Sequence, residues 1–415
     1  MVNFTTRRPP VDPATRRATD INIFNFTRPH MRALHFSWFC FLTAFTGWFA
    51  VAPLLPTIKD DLDLTDAQIG DCNIASVSST IIFRILSGPL CEKFGARRVM
   101  SAILIIGAIP TALVGLSQGP ASLITLRFFV GILGASFVPC QFWTTQMFSP
   151  NTIGGANALS AGWGNMGGGV TYLLMPLVFE AFNTFFPERI AWRLSMIVPA
   201  FLCLIVGICC YFFSDDCPEG DWYYRDQPNE GYVQFGEKDS RQPKTKINNN
   251  NIELHQIPVL IHYLLVFINP NVILMMVMYA CCFGVEVAVD NVIVIFLYSS
   301  FNISQTSAGL YGSIFGLMNI FSRATGGLAS DFANKTMGVR VPYLDPAAVG
   351  IVTGLVGAGG NIGGLIFAAI FKAYASDLRT GFMIVGLSVI TVSLLPFLMS
   401  IHGRTLIFGT VKRNF

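Results

Sequence analysis

Long apolar stretches alternate with short polar connections along almost the whole chain. A helix that crosses a bilayer needs about 20 mainly apolar residues, and stretches of about this length predict ten membrane spans. They lie near residues 35–57, 70–90, 99–117, 122–147, 153–182, 192–213, 272–299, 305–328, 349–373 and 380–401. Six spans precede a polar interval at 214–251 and four follow it. We therefore expect an all-α polytopic membrane protein made of two helical halves.

This pattern divides the chain into five segments. They are an N-terminal tail (1–32), a six-helix bundle (33–213), a central loop (214–271), a second bundle with four helices (272–401) and a C-terminal tail (402–415). Lys and Arg accumulate in the tails, in the central loop and in the loops after the second and eighth spans, whereas the connection KDDLDLTD at 59–66 is acidic. Because basic loops stay in the cytoplasm, we expect both termini to be cytoplasmic.

The composition also indicates a membrane protein and narrows the choice of partners. Apolar residues make up 53% of the 415 residues and charged residues 12%, compared with about 25% charged residues in soluble domains. The formal net charge of +3 gives no reason to expect a nucleic-acid partner. The histidines lie outside the apolar centres and the cysteines show no C-x-x-C spacing. The sequence therefore predicts neither a metal site nor a cofactor.

The glycine-rich stretch SAGWGNMGGGVTYL, residues 160–173, contains a G-x-G-x-x-G pattern. In soluble enzymes this pattern binds a dinucleotide, but it then follows a strand and precedes an acidic residue by about 20 positions. Here both flanks are apolar and helical over the length of a span. Glycines four residues apart, such as Gly164 and Gly168, allow helices to pack closely in lipid. We interpret the stretch as a helix-packing surface and expect a protein that is not an enzyme.

The two halves of the chain repeat the same motifs in the same order. GPLCEKFGARR (88–98) corresponds to GGLASDFANKTMGVR (326–340), and AGWGNMGGG (161–169) corresponds to GAGGNIGG (357–364). Upstream of each basic loop, one arginine lies inside an apolar span, Arg84 in the first half and Arg323 in the second. Many secondary transporters are built from such repeats, with the binding site at the repeat interface near the bilayer centre.

The spacing of the motifs differs between the halves. Arg84 and Asn165 are 81 positions apart, whereas Arg323 and Asn361 are 38 positions apart. The difference corresponds to about two spans of ~20 residues with tight turns. Only VPYLDPAAV separates the second basic loop from the next glycine-rich span. We therefore expect two helices to be missing from the second half, at the junction of residues 340 and 341.

The two buried arginines predict an anion site. An arginine at the membrane centre costs about 2.5–3.5 kcal/mol on insertion scales, so it requires a partner, a cavity or a ligand. Two guanidiniums that face each other repel unless an anion lies between them, and a planar oxyanion fits the guanidinium fork. Asn165 and Asn361 would add neutral amide donors. The alternative is that each arginine pairs with a buried carboxylate, for which Glu286 and Asp290 are available.

Glu286 and Asp290 are four residues apart and therefore share one face of the seventh span. Either carboxyl group could carry a proton, because burial favours its neutral form, or could serve as a structural partner for an arginine. The sequence does not separate these roles. Import of an anion against a negative-inside potential costs about 2.3 kcal/mol per 100 mV, so protons must enter with it or another anion must leave.

The motifs resemble those of a known transporter family. GPLCEKFGARR resembles the loop signature of the major facilitator superfamily, and the residues that carry it are Gly88, Glu92, Gly95, Arg97 and Arg98, with Asp331 in the second half. AGWGNMGGG and GAGGNIGG, together with the two arginines, resemble the nitrate/nitrite porter family within it. FGVEVAVDN and FVPCQFW resemble the eukaryotic high-affinity nitrate transporters. The resemblance extends from about residue 30 to residue 401.

This resemblance implies a fold, a substrate and a site. The fold is that of the major facilitator superfamily, with two pseudo-symmetric bundles, and the substrate is nitrate, with nitrite as a second candidate. The implied substrate-binding residues are Arg84, Arg323, Asn165, Asn361, Tyr279, Phe283 and Phe137. The resemblance further implies proton-coupled uptake by alternating access at the plasma membrane and, for some plant members, a small accessory membrane protein. Family members have twelve spans, so the ninth and tenth would be absent here.

Two other functions stay open at this point. A chain that lacks two helices could bind nitrate as a sensor or an inactive subunit without transporting it. Alternatively, the site could transport another small oxyanion or a carboxylate.

Overall fold

The computed structural model describes residues 8–224, 266–323, 325–326 and 349–395, together with the backbone of three short strands between residues 400 and 410. The α-helices are α1 (His30–Phe49), α2 (Leu55–Asp61), α3 (Asp66–Phe94), α4 (Ala96–Leu113), α5 (Pro120–Val130), α6 (Phe137–Met147), α7 (Ile153–Asn165), α8 (Gly167–Asn183), α9 (Glu188–Ser195), α10 (Ile197–Phe213), α11 (Pro270–Phe301), α12 (Gln305–Leu317), α13 (Val349–Ala373) and α14 (Leu378–Val392). The strands β1 (Ser400–Ile401), β2 (Arg404–Thr405) and β3 (Gly409–Thr410) form an antiparallel sheet in that order. Apart from these strands, the described residues confirm the all-helical fold.

Helices occupy all ten stretches that were predicted to span the membrane. Within the described ranges, seven helical segments are long and apolar enough to cross a bilayer. The other three are shorter or broken: residues 153–183 divide at Met166, residues 305–323 turn at Met318, and α14 ends at Val392 rather than at residue 401. The prediction of ten spans is therefore not confirmed in full. The junction of residues 340 and 341 lies outside the described residues.

Capping side chains determine where several helices begin. Thr65 and Gln68 form a capping box at the start of α3, in which each side chain accepts a hydrogen bond from the other residue's backbone N–H. Ser304 caps α12 by accepting from the backbone N–H of Ser307. Such caps satisfy N–H groups that the first helical turn leaves without partners.

The connections between helices lie at two ends of the molecule. We call the end that contains residues 62–65, 184–187, 302–304 and 374–377 the outer end, and the end that contains residues 148–152 and 214–224 the inner end. At the outer end, the contacts that join the halves include a hydrogen bond from Thr306 to Glu180 and two further side-chain contacts. Thr57 donates to Gln305 (2.9 Å), and Lys372 forms an ion pair with Asp71.

Glycines set how closely the two halves approach. α8 of the first half packs on α12 of the second, and a Cβ at Gly169 would lie only 2.6 Å from the backbone nitrogen of Leu317. Gly164 packs on the ring of Phe41, and Gly168 faces the carboxyl group of Asp290. The interpretation of the glycine-rich stretch as a packing surface is therefore confirmed. α3 and α13 form a second line of contact between the halves.

Candidate functional site

Arg84 lies within α3 and is fully buried. Its Nε donates to the carbonyl oxygen of Gly134 (2.9 Å) and its Nη1 to that of Gly357 (2.8 Å). Gly134 belongs to a 3-10 helix, Gly131–Ser136, which separates α5 from α6 and interrupts the regular α-helical bonding there. Among the described residues, Nη2 has no hydrogen-bond partner and no carboxylate forms an ion pair with Arg84. The guanidinium thus keeps its charge and one donor available for a ligand.

Three aromatic rings form a wall beside this guanidinium. Tyr279 and Phe283 are one turn apart on α11, and their rings stack with centroids 5.2 Å apart and an interplanar angle of 3°. Phe137 lies across from them, tilted by 25–26° from both rings. The Arg84 Cζ is 4.5 Å from the Phe283 centroid and 5.1 Å from that of Phe137, within the range of cation–π attraction. These rings form a flat, apolar lining.

Several buried polar atoms of the predicted site residues have no hydrogen-bond partner among the described residues. Asn361 on α13 donates to the carbonyl oxygen of Gly357 (3.2 Å), but its Oδ1 has no described hydrogen-bond partner. Both polar side-chain atoms of Asn165, the last residue of α7, and the hydroxyl of Tyr279 also have no described partner. A buried polar group without a partner costs about 1–3 kcal/mol. Such a concentration of available atoms is typical of a site that a polar ligand or water completes.

Arg323 has a different environment from Arg84. Its Nη2 forms an ion pair with Glu286 and its Nε donates to Asn319 (3.0 Å), which in turn donates to Glu286 (2.7 Å). The carboxylate-partner alternative is therefore correct for Arg323, while Arg84 lacks such a partner among the described residues. A clamp formed by both arginines stays a prediction.

Asp290 lies one helical turn beyond Glu286 on α11 and is only 2% exposed. Its Oδ1 has no described hydrogen-bond partner. A Cβ at Gly168 would lie 3.0 Å from its Oδ2, so the glycine leaves room for the carboxyl group. The carboxyl groups of Glu286 and Asp290, which the sequence alone does not distinguish, therefore have different surroundings. Glu286 is engaged by Arg323 and Asn319, whereas Asp290 lies beside a glycine with one oxygen available.

The superfamily loop motif lies at the inner end, away from this site. Gly95 joins α3 to α4 with a φ of 86°, which favours glycine. Arg97 donates from its backbone N (2.9 Å) and Nε (3.0 Å) to Asp216, and Arg97 and Arg98 both form ion pairs with Asp221. Burial raises the pKa of the Asp216 carboxyl, and the charge of Arg97 opposes this shift. Arg97 and Arg98 thus bind the first residues of the central loop, and we call these contacts the clasp.

The remaining residues of the motif support this clasp or lie outside the described residues. Gly88 is buried in α3, and the carbonyl oxygen of Glu92 accepts a hydrogen bond from the indole of Trp222 (3.1 Å). Asp331 lies outside the described residues. So do several basic positions on which the predicted orientation depended, namely Lys238–Lys246, Lys335, Arg340, Lys412 and Arg413.

The sequence analysis missed another buried arginine. Arg127 on α5 is 1% exposed and donates to the carbonyl oxygen of Trp48 and to the side chains of Asn73 and Asn291. The signal was present, because Arg127 stands in ITLRFFVG inside an apolar span, as Arg84 stands in TIIFRILSG. Arg127 has no counterpart in the motif repeat, which is why the repeat did not draw attention to it.

Comparisons with known proteins agree with the architecture. Residues 37–344 match the Major Facilitator Superfamily. The "High affinity nitrate transporter 2.5" of Arabidopsis thaliana is 32% identical, over 93% of this chain and 82% of that protein. The "Nitrate transporter 2.1" of Chlamydomonas reinhardtii is 33% identical, over 85% and 70% of the two chains. The inward-facing, unoccupied crystal structure of a bacterial homologue of the human lysosomal transporter Spinster superposes with a TM-score of 0.55 at 16% identity, covering 89% of this chain and 80% of that chain.

The alignment with the Arabidopsis protein is longer than this chain. It extends over 437 positions while covering 93% of 415 residues, which is about 386 residues. About 50 aligned positions therefore lie opposite gaps in this chain. That total is similar to the length of two spans of ~20 residues with their turns.

Proposed function

This chain belongs to the nitrate and nitrite porters of the Major Facilitator Superfamily, and from this premise we propose that it imports nitrate across the plasma membrane. Nitrite is the second candidate substrate. The observation that carries the proposal is the buried guanidinium of Arg84, which has an unused donor beside a flat aromatic wall. The protein is then a multi-pass transporter rather than an enzyme.

The chemistry of nitrate fits the groups around Arg84. Nitrate is planar, carries one negative charge and accepts hydrogen bonds through three oxygens. Its charge balances the guanidinium, while Arg84 Nη2, Asn165 Nδ2 and the hydroxyl of Tyr279 are donors with no described partner. The flat ion can stack against the aromatic rings. Charge-assisted hydrogen bonds of this kind are about twice as strong as neutral ones.

We propose that Arg323 contributes to anion binding in a different way from Arg84. In this conformation Glu286 neutralises Arg323. Arg323 can turn toward the anion only when its bonds to Glu286 and Asn319 are released. We therefore assign the main binding charge to Arg84 and a conformation-dependent contribution to Arg323. Asn361 lines the site through its available Oδ1 and its bond to Gly357.

Transport requires the site to open alternately to the two sides. Arg84, Asn165 and Asn361 are at most 1% exposed, so nitrate can reach them only when the helices separate. The two lines of contact between the halves, α8 with α12 and α3 with α13, are the surfaces at which the bundles would rock. We place both termini in the cytoplasm and the outer end outside the cell. An accessory membrane protein stays a prediction.

Nitrate uptake against the membrane potential requires a coupled ion, and we propose the proton. Asp290 is the better candidate for the carrier, because both oxygens of Glu286 are already bound, by Arg323 and Asn319. Asp290 is buried and its Oδ1 is available. Both features suit a carboxyl group that takes up and releases a proton as its surroundings change.

Nitrate binding and uptake by Arg84 variants test the proposal. We expect Arg84→Gln to weaken equilibrium nitrate binding by about 100-fold, since charge-assisted hydrogen bonds contribute about 1.5–3 kcal/mol each. Arg84→Lys should lose about tenfold, because an ammonium lacks the planar fork that reaches both carbonyl oxygens and a ligand. Titration calorimetry in detergent and uptake into proteoliposomes measure the two effects.

Arg379→Gln is the matched control, because Arg379 is an exposed arginine near the start of α14. Unchanged nitrate binding in Arg84→Gln would remove the basis of the proposed site. Competition for uptake by nitrite, chlorate, formate and phosphate distinguishes nitrate from other oxyanions and carboxylates.

The roughly 50 alignment positions without a counterpart favour a second candidate function. A second half without two of its helices could keep the Arg84 site and yet fail to alternate, so the chain would be a nitrate-binding protein without transport activity. Nitrate binding that depends on Arg84, together with no uptake into proteoliposomes, supports this candidate over transport.

A further inference from the structure

Arg127 is a buried charge whose described partners are all neutral. Its Nη1 donates to the carbonyl oxygen of Trp48 (2.8 Å), and its Nη2 donates to Oδ1 of Asn73 (3.3 Å) and of Asn291 (3.1 Å). Its Nε has no partner within the described ranges. A buried guanidinium without a carboxylate is costly in a membrane and usually marks a functional position.

The bond to Asn291 crosses the interface between the two halves. Arg127, Trp48 and Asn73 belong to α5, α1 and α3 of the first half, whereas Asn291 belongs to α11 of the second. Asn291 is held in position because its own Nδ2 donates to the carbonyl oxygen of Val287 (2.8 Å). Any separation of α11 from α5 therefore removes one acceptor from the Arg127 guanidinium.

A cavity leads from the outer end to these side chains. It has a volume of about 390 Å³ and lies between α3, α11 and α13, and its lining includes both Asn73 and Asn291. Lys59 and Lys372 also line it, each in an ion pair with an aspartate. An anion that enters this cavity reaches the two asparagines whose Oδ1 atoms accept hydrogen bonds from the buried guanidinium. The cavity is thus on the side from which an imported anion would arrive.

We propose that Arg127 and Asn73 form an outer site, which Asn291 closes in the present conformation and at which the imported oxyanion binds before it reaches Arg84. This inference rests on the nitrate import proposed above and extends it. In the present conformation Asn291 occupies Nη2 and the outer site is closed. When α11 moves away, Nη2 and Nε become available together for two oxygens of one anion. A charged acceptor binds a guanidinium more strongly than the amide it replaces.

The substitution Asn291→Asp tests this role with little change in shape. An aspartate at this position keeps an oxygen for Arg127, but it neutralises the guanidinium and strengthens the bond between the halves. We expect the thermal unfolding midpoint to stay at or above that of the wild type, while uptake at low external nitrate falls about tenfold, because the open, competent fraction decreases. Titration calorimetry should give an unchanged dissociation constant for the Arg84 site.

Arg127→Gln is the complementary variant. It removes the charge but keeps an amide that can donate to a neighbouring oxygen. We expect a KM for nitrate about tenfold higher in proteoliposome uptake, again with an unchanged dissociation constant in detergent. Arg189→Gln is the matched control, because this outer-end arginine is exposed (77% for its side chain). Its uptake kinetics should equal those of the wild type.

Wild-type uptake kinetics in Asn291→Asp would overturn the inference, because a purely structural Arg127 gains a stronger partner there and should work normally. An equal loss in Arg189→Gln would also overturn it, by showing a general effect of surface charge. If Arg127→Gln weakens detergent binding as strongly as Arg84→Gln does, Arg127 supports the central site and there is no separate outer site. A wild-type protein that neither binds nor transports nitrate would instead refute the proposed function.

Discussion

At the residue scale, the cost of burying charge was the most informative sequence signal. It identified Arg84, and the structure shows that residue buried with an unused donor. The cost of burying a charge applies equally to Arg127, but this residue has no counterpart in the motif repeat. The sequence could not decide between Glu286 and Asp290. Helix periodicity places both on one face, and only the packing of Arg323 and Asn319 against Glu286 distinguishes them.

The aromatic wall illustrates a second limit at this scale. Phe137, Tyr279 and Phe283 were assigned only through the resemblance to nitrate porters. Among 36 phenylalanines and 11 tyrosines, composition and periodicity give no reason to choose these three. Their nearly parallel rings beside Arg84 result from contacts between α3, α6 and α11, which no local pattern specifies.

The proton-coupling proposal predicts opposite behaviour for the two carboxyl groups. Asp290→Asn mimics the neutral form permanently, so nitrate uptake should lose its stimulation by an inward proton gradient, while exchange of nitrate for nitrate continues. Glu286→Gln should keep the gradient response, because Glu286 serves mainly as the partner of Arg323. It should also bind nitrate about 20- to 30-fold more tightly, since it removes a negative charge near the anion; at ~8–10 Å and an effective dielectric of ~20 this amounts to about 2 kcal/mol.

Uptake into proteoliposomes with and without a proton gradient measures the first effect, and titration calorimetry measures the second. Glu180→Gln is the control, because Glu180 lies at the outer end and accepts from Thr306. The assignment to Asp290 is refuted if Asp290→Asn still responds to the gradient and Glu286→Gln does not.

At the scale of helices, apolar length predicted where helices occur but not where they break. The span at 120–147 is interrupted by the 3-10 helix Gly131–Ser136, and this interruption orients the carbonyl oxygen of Gly134 toward Arg84. Residues 153–183 divide at Met166, beside Asn165. Both breaks lie next to glycines, which lower helix propensity. A count of apolar residues alone ignores this signal, although the breaks shape the site.

Helix packing at glycine gives a prediction at this scale. Gly169→Ala places a Cβ 2.6 Å from the backbone nitrogen of Leu317 and 2.8 Å from the carbonyl carbon of Gly316. Backbone atoms cannot rotate away, so α8 and α12 must separate. We expect a loss of about 1–3 kcal/mol in stability, as for other overpacked sites, and a strongly reduced rate of nitrate uptake. Thermal unfolding in detergent and proteoliposome uptake measure the two effects.

Gly386→Ala in α14 is the matched control, because no heavy atom lies within 4 Å of a Cβ there. Alanine is the better helix former by about 1 kcal/mol, so this variant should be as stable as the wild type or slightly more stable. Equal stability of the two variants would show that the contact of α8 with α12 does not limit how closely the halves approach.

At the scale of the whole molecule, two halves and the motif that marks their inner end were predictable from the sequence. The clasp between Arg97, Arg98 and the first residues of the central loop was not, because 214–251 was interpreted as a polar interval without a defined partner. Asp216 and Asp221 are distant in sequence from the motif, so only the fold brings them to it. Long-range contacts of this kind leave no local periodicity.

The gap between this chain and its relatives leads to the last prediction. The motif spacing predicts two absent spans of ~20 residues each, and the alignment leaves about 50 positions without a counterpart in this chain. The described part of the second half contains only α11 to α14 as long helices. α12 and the residues after it leave Leu310, Ile314, Met318 and Phe321 exposed.

Insertion of the corresponding segment of the Arabidopsis relative between residues 340 and 341 should raise nitrate uptake at least about tenfold and the thermal midpoint by several degrees, because added helices supply packing partners within the membrane. A Gly/Ser insert of equal length at the same junction controls for chain length and should improve neither quantity. If the helical insert performs no better than this control, the second half does not need the inserted helices for its function.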